Sequence, residues 1–283
     1  MKKIIFGFLA CLVIVYLGLS LICYDKEYQA EKIYYNAARS LRAVQANPEV
    51  VTTAMLEPAV RGLSRVISKY PDTNMSKIAY INLAELYLTD KKYDKVTETV
   101  DTFIKAYPDA GAMLARAYFL KGAALEKQGK WTEALSEYNL IKEKYVNTPI
   151  GLQIPVYIAQ YYEKNKSPEK AQKAYEEAIV FYEKVETDNK GQILGYAATN
   201  ILFEVYMKLA RYEDAGRVVE STIKNYSSLV ATTQYLPYVD EVFVKILKRP
   251  DKAIEIYQYI IANTNVDRLK EMLEKKVDQL RKM

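Results

Sequence analysis

The chain has 283 residues, 50% of them hydrophobic and 27% charged, with 40 Lys and Arg against 35 Asp and Glu. Setting aside Lys2 and Lys3 leaves 38 against 35 from Tyr24 onward, a net +3 with no basic block or Gly-Arg tract, which argues against a nucleic-acid surface. Histidine is absent and both cysteines, Cys11 and Cys23, lie near the start, so the remainder has no usual general base, HExxH site, thiolate nucleophile or disulfide; no enzyme activity, metal or cofactor is expected.

The first element is apolar. After Met1-Lys2-Lys3, the residues from Ile4 to Cys23 contain no charge, and Tyr24-Asp25-Lys26-Glu27 follow. Twenty such residues in a helix rise about 30 Å, the thickness of a bilayer's hydrocarbon core. Lysines on the N-terminal side favour a cytoplasmic N-terminus and an exported body. Residues 1–23 are therefore read as a transmembrane anchor or uncleaved signal, placing the body in the periplasm or outside the cell. The alternative is a lipid-modified signal ending at Cys23, although Ile22 stands where that class carries Gly, Ala or Ser.

Helices follow in succession. Glu27 to about Gln45 carries Ala30, Tyr34, Ala37, Ala38 and Leu41 on one side, and Asn47-Pro48 stops it. A second helix runs from about Val51 to Lys69 and ends at Tyr70-Pro71-Asp72, because proline lacks the amide donor and clashes with the preceding turn. The same three residues return at Tyr107-Pro108-Asp109, 37 positions later. Small residues mark the same period: Ala59, Val96, Ala134, Ala171, Ala215 and Ala253 stand 37, 38, 37, 44 and 38 apart. Units of this length cannot bury their own apolar faces, so they stack into a solenoid. The clearest unit runs from Arg116 to Tyr145, where Gly129-Lys130-Trp131 makes the turn and Ala134 is expected to cross closely beneath Gly122. The 44-residue interval contains the polar stretch 185–192, read as a longer loop between repeats. Asn225-Tyr226-Ser227-Ser228 is a further break. Residues 265–283 form a charged amphipathic helix with Leu269, Met272, Leu273, Val277 and Leu280 on its apolar side. A cap over the last repeat is the favoured role, and self-association through coiled-coil pairing is the rival.

The run Gly122-x6-Gly129-Lys130-Trp131-x2-Ala134-x3-Tyr138 resembles the tetratricopeptide repeat, whose pattern sets small residues and aromatics at those places. The resemblance implies an all-α fold: about six antiparallel helix pairs over residues 24–264, stacked as a right-handed superhelix. The exported start and the Tyr-Pro-Asp endings also resemble exported bacterial members of that family, such as the outer-membrane protein assembly lipoproteins.

In such arrays the first helix of each hairpin lines the concave groove. Carried onto this chain, its inward positions include Ile78, Ile81, Arg116, Phe119, Gln153, Gln160, Asn200, Glu204, Tyr235 and Tyr238. Tyrosine is unusually frequent, at 26 residues, and Tyr161, Tyr235, Tyr238 and Tyr259 have no evident place in the repeat core. They suit an interface, since a tyrosine buries ring area while keeping a hydroxyl; a wet core between helices is the other reading. The resemblance thus implies a membrane-anchored adaptor or scaffold of the cell envelope that binds a protein segment and no nucleic acid. The alternatives are a structural or oligomerisation module and a lipoprotein component of an outer-membrane assembly or secretion machine.

Overall fold

The computed structural model describes residues 11–19, 25–45, 52–226 and 229–282. Among them every regular element is helical. The expected anchor falls mostly outside them, in residues 1–10 and 20–23, as do the stop at Asn47-Pro48 and the break at Ser227-Ser228. Residues 11–19 are helical with exposed apolar side chains, and no described helix is long and apolar enough to cross a membrane.

Among the described residues after Tyr24, twelve helices follow one another two by two along the chain, labelled here by chain order. They are α1 (Lys26–Gln45) with α2 (Thr53–Lys69), α3 (Asn74–Thr89) with α4 (Tyr93–Ala106), and α5 (Ala112–Lys127) with α6 (Trp131–Lys144). Then come α7 (Pro149–Lys164) with α8 (Pro168–Asp188), α9 (Ile193–Lys208) with α10 (Tyr212–Asn225), and α11 (Leu229–Tyr238) with α12 (Pro250–Asn263). Helix α11 runs on as a π-helix over Val239–Ile246, and α13 (Asp267–Arg281) closes the series. The chain forms two compact units, Met1–Ile154 and Pro155–Met283.

In the first unit each helix from α1 to α6 packs on its neighbour, and α1 meets α3 as α3 meets α5. This is how stacked hairpins pack, consistent with a solenoid. The periodic small residues explain the crossing: Ala59, Val96 and Ala134 are wholly buried, flanked by Leu56 and Leu63, Tyr93 and Val100, Trp131 and Tyr138. Larger side chains there would hold the helices apart. Gly122 faces the ring of Tyr138, one turn beyond Ala134 on the next helix. A Cβ on it would stand 2.5 Å from Cε1 of Tyr138, so the glycine makes room for a buried ring that also touches Phe119 and Trp131. The close crossing belongs to Gly122 and Tyr138.

The turn inside a hairpin has one repeated construction. Lys91 and Gly129 have φ of 58° and 77°, and the following amides, of Lys92 and Lys130, donate to Tyr87 and Leu125 carbonyls at 2.8 and 2.9 Å. A left-handed residue after the helix lets the next amide reach back to a carbonyl left open at the helix end. Between hairpins, tyrosines serve as the stops. The Tyr107 hydroxyl donates to the Pro71 carbonyl of the previous turn, while its ring lies 5.9 Å from Tyr80. Tyr145 packs in the same way on Tyr118, at 6.1 Å. Thr73 caps α3 by accepting from the Ser76 amide at 3.1 Å, and Glu27 of α1 adds its carboxylate to the amides of Asn74 and Met75.

The second unit repeats these devices. Lys166, Ala210 and Lys248 are its left-handed turn residues, with φ of 53°, 56° and 54°. Ala215 and Ala253 are wholly buried, and Tyr226 sits on Tyr196 at 5.4 Å. The stretch 185–192 differs from its sequence reading: residues 185–188 belong to α8, which has 21 residues where α10 has 14. The seven additional residues lengthen a helix rather than a loop, because Ala178, Tyr182 and Val185 continue its buried stripe. Helix α13 lays Leu269, Leu273, Val277 and Leu280 inward and packs on α12, while Met272 faces out. Asp240 of the π-helix accepts from the Tyr257 hydroxyl at 2.6 Å and pairs with Lys276 of α13, fastening that helix to its unit.

Candidate protein-binding surface

The first helices of the hairpins carry the expected site. In the first unit these are α3 and α5. Ile78 is half-buried, but Ile81 is only 9% exposed and packs with Val96, Leu114 and Ala117 in the core. Arg116 keeps 42% of its side chain exposed, pairs with Glu85 of α3 at 2.7 Å and stacks its guanidinium 5.8 Å from the Phe119 ring. The Glu85–Arg116 pair and the half-buried Phe119 ring form one amphipathic patch across two hairpins. A charged fork beside an aromatic face suits a peptide backbone or a carboxylate. Glu85 also occupies that fork, so a ligand acid would have to compete with it. Gln153, on α7, is exposed.

In the second unit Gln160 of α7 and Glu204 of α9 are exposed, with Asn200 half-buried. Tyr235 is 1% exposed, so its ring belongs to the core and not to a surface open to a partner. Its hydroxyl donates to Asn200 Oδ1 at 2.7 Å, and burial pushes its pKa up. Tyr238 stays half-buried, 4.5 Å from Phe203 and 5.7 Å from Tyr235. The structure thus joins Asn200, Tyr235 and Tyr238 in one cluster, with the Tyr196 hydroxyl donating to Gln234 at 2.6 Å beside it. Two of the ten expected residues, Ile81 and Tyr235, are withdrawn from the surface. Both point toward the wedge between hairpins, where apolar area is removed from water.

Sequence reasoning missed a second kind of recess, at the meeting of one hairpin's second helix with both helices of the next. In the first unit it holds about 340 Å³ between α2, α3 and α4, lined by Ile67, Tyr80, Tyr87, Lys95 and Glu98. In the second it holds about 420 Å³ between α8, α9 and α10, lined by Glu183, Glu186, Tyr206, Asp214 and Arg217. The two lie in one register, 119 positions apart from Tyr87 to Tyr206, as Val96 and Ala215 are. At matching positions Lys95 and Glu98 give way to Asp214 and Arg217, so the charges are exchanged. Aligning the repeats three periods apart carries the signal for this.

Comparison with known proteins bears on this geometry. The family profile described as a tetratricopeptide repeat-like domain matches residues 25–148, the stretch that holds the first three hairpins. No curated protein matches the chain. Among solved structures, the crystal structure of BtubC (BKLC) from P. vanneervenii superposes with a TM-score of 0.33 and 13% identity, covering 91% of each chain. The matched stretch, its paired helices and their small-residue crossings together identify residues 25–148 as a tetratricopeptide repeat-like domain.

Proposed function

We propose that this protein is a membrane-anchored, exported adaptor whose stacked hairpins wind as a right-handed superhelix and hold an extended segment of a partner protein on their first helices. A tetratricopeptide-like domain points to protein–protein interaction, and the observation that carries the reading is the half-open patch of Arg116, Phe119 and Glu85. An aromatic ring supplies stacking area and a guanidinium supplies oriented donors, the two side-chain kinds that most often carry binding energy at interfaces. In the second unit, 119 positions on, Glu204 and Tyr238 stand where Glu85 and Phe119 do, and the half-buried Asn200 lies beside them. Anchoring rests on the uncharged run Ile4–Cys23 behind Lys2-Lys3, which puts the body on the far side of the bacterial inner membrane. Oligomerisation through α13 is the weaker reading, since the apolar stripe it would use is already packed within its own unit.

Site-specific photocrosslinking of the full chain in cells tests this. A crosslinker at Phe119, Gln160, Glu204 or Tyr238 is expected to trap the same partner, and one at Glu133 or Lys173, both exposed on second helices, to trap none. Equal trapping at all six positions, or none at the first four, overturns the assignment. Protease treatment of intact and lysed spheroplasts tests export: digestion of the body only after lysis refutes it.

A further inference from the structure

Helix α1 has one face spent and one face open. Inward, Ala30 and Ala37 are buried, the Tyr34 hydroxyl accepts from Asn82, and Glu27 caps α3. On the other side Tyr28, Lys32, Tyr35 and Arg39 are all exposed, the two tyrosines by 44% and 59%. At 3.6 residues per turn these four fall within about 60° of one another, an alternating aromatic and basic stripe. Glu31 flanks it on one side. Neither Lys32 nor Arg39 has an ion pair among the described residues.

Chain connectivity says what this stripe meets. Tyr28 stands five residues after Cys23, where the uncharged run ends, and five residues span at most about 18 Å even when fully extended. If that run crosses a bilayer, the start of α1 is held at its surface. Tyrosines with one apolar and one wet side, alternating with cations, suit the headgroup layer, and anionic lipids attract basic residues close to the membrane.

We propose that the outer stripe of α1 lies on anionic phospholipid headgroups beside the anchoring segment, orienting the first unit on the membrane. The inference rests on the anchored reading above. Contact along the full stripe requires α1 to run along the surface, since Arg39 is about 16 Å further along the helix than Tyr28.

The test uses the full chain in vesicles containing phosphatidylglycerol, with bromine-labelled lipids as a contact quencher. Tyr35→Trp is made in a Trp131→Phe background, so that its indole is the sole tryptophan, and unaltered Trp131 in the parent chain serves as the second position. The expected result is strong loss of fluorescence from the indole at position 35 with little loss at Trp131. That loss should be relieved by Lys32→Glu with Arg39→Glu or by vesicles of phosphatidylcholine alone, with helicity unchanged. Sodium carbonate extraction separates the two levels. A chain that stays in the vesicles with position 35 unquenched, or with both positions quenched alike, overturns the stripe while leaving the anchor. Release of the chain by carbonate removes the anchored reading and the stripe with it.

Discussion

Ala210→Gly is expected to stabilise the protein, although it deletes a methyl group. Ala210 holds φ at 56°, its side chain is exposed, and the amide after it, of Arg211, donates to the Tyr206 carbonyl at 2.9 Å. The left-handed conformation costs an L-residue about 1–2 kcal/mol, whereas the additional freedom of glycine in the unfolded chain costs about 0.5–1 kcal/mol. The difference is a gain of about 0.5–1 kcal/mol, or about 1–4 °C in melting temperature for a chain of this size. Lys91, Lys166 and Lys248 occupy the same place in other hairpins and are also exposed, so each should respond alike. Gly129→Ala should reverse the sign, because its φ of 77° then falls on a residue with a Cβ. Lys91 and Gly129 report on Met1–Ile154, and the other three on Pro155–Met283. Thermal and urea unfolding of the full chain in detergent, followed by circular dichroism, measures all five. Ala123→Gly, at a half-buried position inside α5, is the control and should cost about 1 kcal/mol or more. A lower midpoint for Ala210→Gly together with an unchanged one for Gly129→Ala would refute the common turn construction.

Ala134→Leu should lower the unfolding midpoint by about 1–3 kcal/mol through overpacking, while Glu133→Leu, on the exposed side, should leave it nearly unchanged; equal midpoints would refute the repeat register. Tyr235→Ala should cost about 3–5 kcal/mol of stability as a core truncation, and Tyr238→Ala should mainly reduce partner crosslinking, with the melt and crosslink yield of each variant deciding. Glu163 accepts from Lys208 and from the Tyr175 hydroxyl, bonds that hold its carboxyl below the usual range. Its contribution is therefore present above the ordinary value of about 4.3 and is lost as pH falls through the lower folded value. The stability difference between the parent chain and Glu163→Gln should accordingly shrink in acid; a difference that does not change between neutral pH and pH below 4 would show that the bonds are not formed.

Local chemistry made much of the fold legible. Prolines at 71 and 108 announce helix ends because they lack a donor, and small residues at a fixed period announce crossings because nothing larger fits. The cluster of Arg116 and Phe119 was legible for the same reason, being three apart on one helix. Other features depended on which faces meet. Gly122 needed the position of the Tyr138 ring, which comes from another helix, and the residues after 185 needed knowledge that Val185 has a buried place to go.

From sequence alone came the helical class and the period, since each depends on residue type and spacing along the chain. Tertiary structure decided which tyrosines are surface. Tyr235 and Tyr238 are three residues apart on one helix and alike in sequence, yet one is enclosed by Phe203, Tyr196 and Asn200 while the other keeps an open side. Burial is set by what the neighbouring hairpin places opposite a residue, and that neighbour lies about 35 positions away in the chain.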